Sequence, residues 1–189
     1  MRHVKKERFA EKTISSKRIY KGRIIGLRED KVLLPNGVKS KREIVEHPGA
    51  VAVIAIAKDN KIILVRQYRK AVEEAIFEIP AGLVHWEKGE TALQAAKREL
   101  EEETGYRARK IKKLLKGFAS PGYSSEIIHY FLATDLIQTK PNPDEDELLE
   151  PVLVNPKDYK KLIKSGKIKD NKTLLGILLA LNSPPNKRV

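Results

Sequence analysis

The chain has no cysteine, a single methionine, a single tryptophan and only 6% aromatic residues. Without cysteine there can be no disulfide, no thiolate metal centre and no cysteine nucleophile, although compartment is left open. No stretch approaches the ~18 consecutive apolar residues that mark a membrane span. The opening MRHVKKERFAEK is charged from its second residue and lacks the apolar core of a secretory leader. A cytoplasmic protein with no membrane partner is the expectation.

At 189 residues the chain is long enough for one substantial core with a small N-terminal addition. Forty-one per cent apolar and 33% charged residues suit a soluble globular domain. The formal net charge of +13 invites comparison with nucleic-acid binders. The cations are dispersed, however, over Lys5-Lys6, Arg107 to Lys116, Lys157 to Lys172 and Lys187-Arg188, and no nucleic-acid motif accompanies them. The charge therefore points to steering of an anionic small molecule or to solubility, rather than to nucleic acid as the main partner.

One stretch carries the chemistry: GLVHWEKGETALQAAKRELEEETGY, Gly82 to Tyr106. Thr91 followed three residues later by Gln94 is a capping box that opens a helix, and Gly105 suits the left-handed position that stops one. At 100° per residue, Leu93, Ala96 and Leu100 form an apolar stripe. Glu99, Glu102 and Glu103 share a strip beside it, with Ala92 and Ala95 earlier on the same strip. Glu99 and Glu103 repel each other by a few tenths of a kcal/mol, roughly, unless a cation lies between them. Clustered hard oxygens on a rigid element suit Mg²⁺, which takes carboxylates, water and substrate phosphates. A run of glutamates by itself is an ordinary solvated face. The spacing around it says more.

Glu90, seven residues, then Arg98-Glu99-Leu100-Glu101-Glu102-Glu103-Thr104-Gly105 resembles the signature of the Nudix hydrolases, which cut a nucleoside diphosphate linked to a second group. Ile79-Pro80-Ala81-Gly82 is similar to that family's lead-in. One departure stands out: Gly82 and Glu90 are separated by seven residues where the family has five, so the loop around His85-Trp86 is two residues longer. Pro121, sixteen residues beyond Gly105, is spaced as in the ADP-ribose pyrophosphatase branch. Structurally, Ser120-Pro121-Gly122 is simply a turn.

The resemblance implies Mg²⁺-dependent hydrolysis of ADP-ribose to AMP and ribose 5-phosphate, with Mn²⁺ a possible substitute. It implies metal ligands at Glu99, Glu103 and the Ala81 carbonyl, with Glu102 a further ligand or a water-mediated contact oriented by Arg98. Substrate contacts are implied at Arg69, which stands twelve residues before Ala81, and at Arg42, Gly82 and Glu126. Relatives carry their catalytic base on a loop matching Pro141 to Glu150. Glu147 is then the candidate base and Glu145 the runner-up, with Glu102 or Glu126 next. Other nucleoside diphosphate sugars or dinucleotides would use the same metal residues. A non-catalytic nucleotide- or RNA-binding module of the same fold is the remaining alternative, and it is disfavoured because every glutamate of the signature is present.

Read in order, residues 13–20, 24–34 and 39–47 are strands joined through a Pro35-Asn36-Gly37 turn, and their two-sided polarity leaves them no core of their own. The resemblance makes this sheet a reach across to a second subunit, hence a homodimer. Val51 to Ala57 is an apolar run expected of a strand buried on both faces, and Lys61 to Tyr68 returns beside it. Ala75 to Pro80, Lys110 to Phe118, Glu126 to Thr134 and Leu148 to Val154 are further strands, and Lys157 to Lys164 and Asn171 to Leu181 are helices. The four histidines have no metal-ligand spacing. The expected fold is an α/β (α+β) Nudix α/β/α sandwich around a mixed sheet, with a small N-terminal antiparallel β domain. The expected divisions are residues 1–47, 48–182 and a tail at 183–189.

Overall fold

The computed structural model describes residues 8–143 and 147–182. These divide into two compact units, one running to Pro48 and taking in Phe118–Ile127, the other formed by Gly49–Gly117 and the chain from Ile128 onward. The expected tail at 183–189 and the candidate base Glu145 lie outside the described residues.

The first unit is built on a three-stranded antiparallel sheet, β1 (Lys12–Lys21), β2 (Gly26–Leu33) and β3 (Lys39–Glu46), in that spatial order. Gly37, at φ +83°, makes the turn between β2 and β3, and the Asn36 side chain accepts from the Val38 N–H at 3.1 Å. Every residue of β1 is exposed, and within β2 only Asp30 and Val32 are buried. The sheet is therefore held by its ladder and by ion pairs such as Arg28–Glu46 at 2.6 Å, with almost no apolar core. The Ser120-Pro121-Gly122 turn closes with Tyr123 and Ser124 N–H groups donating to the Ser120 carbonyl. It then docks on β3 through Val45 N–H to Tyr123 O at 2.8 Å and Ser125 N–H to Val45 O at 3.0 Å.

The second unit is an α/β/α arrangement around a seven-stranded mixed sheet. Its central strand β4 (Ala50–Ile56) is the all-apolar run, with Val51 to Ala55 fully buried. Antiparallel β5 (Ile62–Arg69) flanks it on one side and parallel β9 (Ile127–Gln138) on the other, giving the order β10-β5-β4-β9-β8. Here β8 is Tyr106–Phe118 and β10 is Leu149–Val154. Two short strands, β6 (Glu74–Glu78) and β7 (Ala81–Leu83), pair with β5 and β4 respectively.

Side-chain alternation along β4 feeds both helical layers. Val51, Val53 and Ala55 pack with Ala95, Ala96 and Leu100 of α1 (Ala92–Thr104). On the opposite face Ile54 meets α3 (Asn171–Asn182) at Gly176, where a Cβ would come within 3.0 Å of both Ile54 and Ile79. A short α2 (Tyr159–Lys164) follows a turn opened by Pro156.

Helix α1 has the expected ends. Thr91 and Gln94 form the reciprocal capping box, contributing about 1 kcal/mol, and Gly105 stops the helix at φ +69°. One expectation is corrected: Leu93 is exposed, because the core-facing side of the first turn is taken by Ala92, about 100° round the helix, and full burial begins only at Ala95. The buried stripe is Ala95, Ala96 and Leu100, with Glu99 and Glu103 buried alongside.

Candidate active site

The loop from β7 into α1 is closed by two groups, Glu90 and Arg98. A single turn of 3₁₀ helix, Trp86–Lys88, absorbs the two extra residues and ends at Gly89 with φ +74°. The Glu90 carboxylate accepts from the His85 N–H at 2.9 Å and from Arg98 Nε and Nη2 at 2.8 and 3.1 Å. Arg98 goes further. Its Nη2 also donates to the Leu83 carbonyl at 3.0 Å, and its Nη1 to Glu99 at 2.7 Å and Glu102 at 2.9 Å. All five N–H donors of a guanidinium are thereby used, tying loop, β7 and helix to one side chain. Sequence reading anticipated only the contact to Glu102, since the others depend on how the loop folds back. Trp86 stands edge-on to His129, with ring centroids 6.1 Å apart, and keeps about half its surface exposed.

Glu99 and Glu103 sit one helical turn apart beneath β7, 7% and 2% exposed. The Ala81 N–H donates to Glu103 at 3.1 Å, which brings the Ala81 backbone beside the pair. Gly82 passes directly over Glu99. Burial pushes the Glu99 carboxyl up to about 7, although Arg98 draws it down, while Glu102 and Glu147 add to the rise. Glu103 is raised well above the ordinary carboxylate range, first by burial, then by the charges of Glu99 and Glu147. Glu90, by contrast, is held low by Arg98.

Two buried carboxylates, both raised by burial and by neighbouring carboxylates, form a site that a further positive charge would stabilise. Among the described residues no trio of acidic or histidine side chains is gathered in coordinating geometry, and the nearest cation to Glu99 is Arg98. The donor chemistry, two carboxylates with a backbone beside them, fits a hard divalent cation.

The remaining sequence candidates separate into two groups. Arg69 and Glu147 belong to the same unit as the glutamate pair. Arg69 is fixed by Glu78 through Nε at 2.7 Å and Nη2 at 3.0 Å, and its charge is felt at Glu103. Glu147 acts electrostatically on both Glu99 and Glu103. The segment leading to it is anchored on the end of α1: the Thr139 N–H donates to the Gly105 carbonyl at 2.7 Å and the Asn142 N–H to the Glu102 carbonyl at 2.9 Å. Arg42 and Glu126 belong to the first unit, where Arg42 pairs with Glu11 and Glu126 lies 3.9 Å from His47.

Glu78 was missed by sequence reading, and a signal for it existed. Alternation in β6 puts Ile76 and Glu78 on the same inward face, and a charge at a core position must have a partner.

Comparison with known proteins gives two family matches. A profile described as the NUDIX domain matches residues 46–174, and one described as the nucleoside diphosphate sugar hydrolase N-terminal domain matches residues 11–45. An ADP-ribose pyrophosphatase of Bacillus subtilis is 49% identical over 169 residues, covering 88% of this chain and 90% of that protein. A methanol dehydrogenase activator of Bacillus methanolicus is 48% identical, covering 89% of this chain and 91% of its own length. A solved structure described as an ADP compounds hydrolase superposes with a TM-score of 0.81 over 93% of this chain and 95% of that one, at 24% identity.

Proposed function

Because the chain belongs to the Nudix family, we propose that it hydrolyses the diphosphate linkage of ADP-ribose, releasing AMP and ribose 5-phosphate. The observation that carries the chemistry is the buried Glu99–Glu103 pair, raised in pKa and lying against the Ala81-Gly82 backbone. The substrate is supported by the likeness to the Bacillus subtilis pyrophosphatase over most of both chains. Another nucleoside diphosphate sugar is the second reading, favoured by the description of the N-terminal match.

Glu99, Glu103 and the Ala81 carbonyl hold Mg²⁺ in this reading, with Glu102 a further or water-mediated contact and Mn²⁺ a workable substitute. An ion held there would supply neutralisation of diphosphate charge and a more acidic water. The protein's own groups do the rest. Arg98 keeps Glu99 and Glu102 turned toward the site, and the Ala81 N–H fixes Glu103. Arg69 contacts a phosphate oxygen through the side of its guanidinium that Glu78 leaves open, with Arg42, Gly82 and Glu126 as further substrate contacts. Glu147 accepts the proton from the attacking water, a role that Glu145 would take if Glu147 does not.

The three-stranded sheet is the dimerisation element, and the enzyme works as a cytoplasmic homodimer without nucleic-acid or membrane partners. In this reading residues 1–47 are the dimerising subdomain, 48–182 the Nudix hydrolase domain and 183–189 a tail.

A phosphate-release screen of nucleoside diphosphate derivatives, coupled to a phosphatase and run with and without Mg²⁺, tests the reaction. ADP-ribose should give the highest kcat/KM, with turnover lost on chelation. A clear preference for another nucleotide sugar would replace the substrate, and turnover in excess chelator would remove the metal assignment.

A further inference from the structure

Glu78 is the most deeply buried carboxylate outside the glutamate pair, 2% exposed. A carboxylate so placed needs its charge met by hydrogen-bonded cations, and two supply this. Arg69 grips it with Nε and Nη2, and Lys172 reaches its Oε2 at 3.0 Å from the first turn of α3. Lys172 in turn binds Asp170 at 2.7 Å. Asp170 accepts from the Thr173 N–H and hydroxyl at 2.9 and 2.7 Å, and the Thr173 oxygen accepts from the Ile79 N–H at 2.9 Å. The network therefore runs unbroken from the Arg69 guanidinium to the backbone two residues before Ala81. Burial alone would push Glu78 up, yet Arg69 and Lys172 hold it below the usual carboxylate range, so it stays charged.

The geometry at Arg69 is one-sided. Its Nε and Nη2 are taken by Glu78, its Nη1 makes no hydrogen bond among the described residues, and its side chain keeps 40% of its surface exposed. An arginine otherwise loses much rotamer freedom on binding an anion, and a fork already held by one edge loses less. We propose that Glu78, backed by Lys172, is a positioning residue that clamps Arg69 by one edge so that Nη1 is presented to a phosphate oxygen of the substrate. The first turn of α3 is thereby part of the substrate-binding apparatus, although it bears no group that touches substrate. The inference rests on the reading of Arg69 as a phosphate contact.

A double-mutant cycle tests it, run on whichever nucleotide sugar the wild-type enzyme hydrolyses best, so that an error about ADP-ribose leaves the test intact. Arg69→Ala and Glu78→Gln should each raise KM by about tenfold or more with kcat changed far less, and Glu78→Gln should add almost nothing in the Arg69→Ala background. A purely structural Glu78 would lower the melting temperature and the active fraction without raising KM, which would overturn the proposal. Equal further loss in the Arg69→Ala background would overturn it too. If Arg69→Ala leaves KM unchanged, the phosphate-contact reading falls and the proposal falls with it, whereas a KM rise in Arg69→Ala alone sinks only the role of Glu78. Should Glu78→Gln fail to fold, Lys172→Gln takes its place, because it leaves the Arg69–Glu78 contact and removes its backing together with the Lys172–Asp170 pair. The expected result is then a KM rise of about three- to fivefold, again absent in the Arg69→Ala background.

Discussion

The Glu99 carboxylate occupies the space that a side chain on Gly82 would need: an ideal Cβ there would lie 2.1 Å from Glu99 Oε1. Residue 82 is glycine for this close approach, since its backbone is an ordinary strand paired with Val51. Gly82→Ala must displace either β7 or Glu99. We expect kcat to fall by about 10²-fold or more, since a shift near 1 Å in a positioned group can cost that much. Steady-state kinetics beside far-UV circular dichroism would separate loss of the site from loss of the fold. Near-wild-type turnover would show that Glu99 does not work from this position.

The raised carboxylates make the metal-free protein sensitive to pH. Glu99 titrates near 7 in the folded chain and near 4.3 when unfolded, so between those values the folded state holds more protons. Stability from this group is present below the unfolded value and lost as pH rises through 7, by on the order of 3 kcal/mol. Glu103 acts in the same direction. In chelator, the melting temperature should therefore drop from pH 5 to pH 8, and added Mg²⁺ should restore it. Glu103→Gln should reduce the drop while lowering kcat to less than about a tenth, equivalent to a loss of at least roughly 1.4 kcal/mol. A metal-free melting temperature that rises across that range would contradict the electrostatics.

Strand β1 leaves Ile14, Ile19 and Tyr20 each about half exposed on a sheet with almost no core. A partner surface is expected to cover them. Light scattering should return twice the 21.4 kDa chain mass at micromolar concentration, and Ile14→Lys with Ile19→Lys should shift the protein toward monomer. A wild-type monomer would remove the dimer.

Glu147→Gln should lower kcat by about 10²–10⁴-fold with little change in substrate affinity, as loss of a general base does. Glu145→Gln is the control on the same loop. A larger loss in Glu145→Gln would exchange the two, and wild-type rates in both would move the base to Glu102 or Glu126.

Local chemistry made the ends of α1 legible, because Thr91, Gln94 and Gly105 act within their own turn. The apolar run of β4 was legible for a similar reason: nothing in it can face water. What could not be read was set by distant partners. The three residues of β7 are a strand only because Ala50 to Ala52 lie alongside. Leu93 obeys the helical period, yet in the folded chain it is Ala92 that turns to the core in that first turn. Glu78 and Lys172 stand 94 residues apart in sequence, and no spacing rule joins them. In the site, the signature identified which glutamates gather on the helix. Their burial, and the use of every Arg98 donor, emerged only with the folded loop.

The anchoring of Asn142 on Glu102 also ties the chain that leads to Glu147 to the helix that carries Glu99 and Glu103. Six residues separate that anchor from Leu149, where β10 begins, and the seven steps between them reach about 25 Å at most when fully stretched. If Glu147 is the base as proposed, residues inserted between Asn142 and Leu149 should lower kcat while leaving the Glu99–Glu103 pair in place.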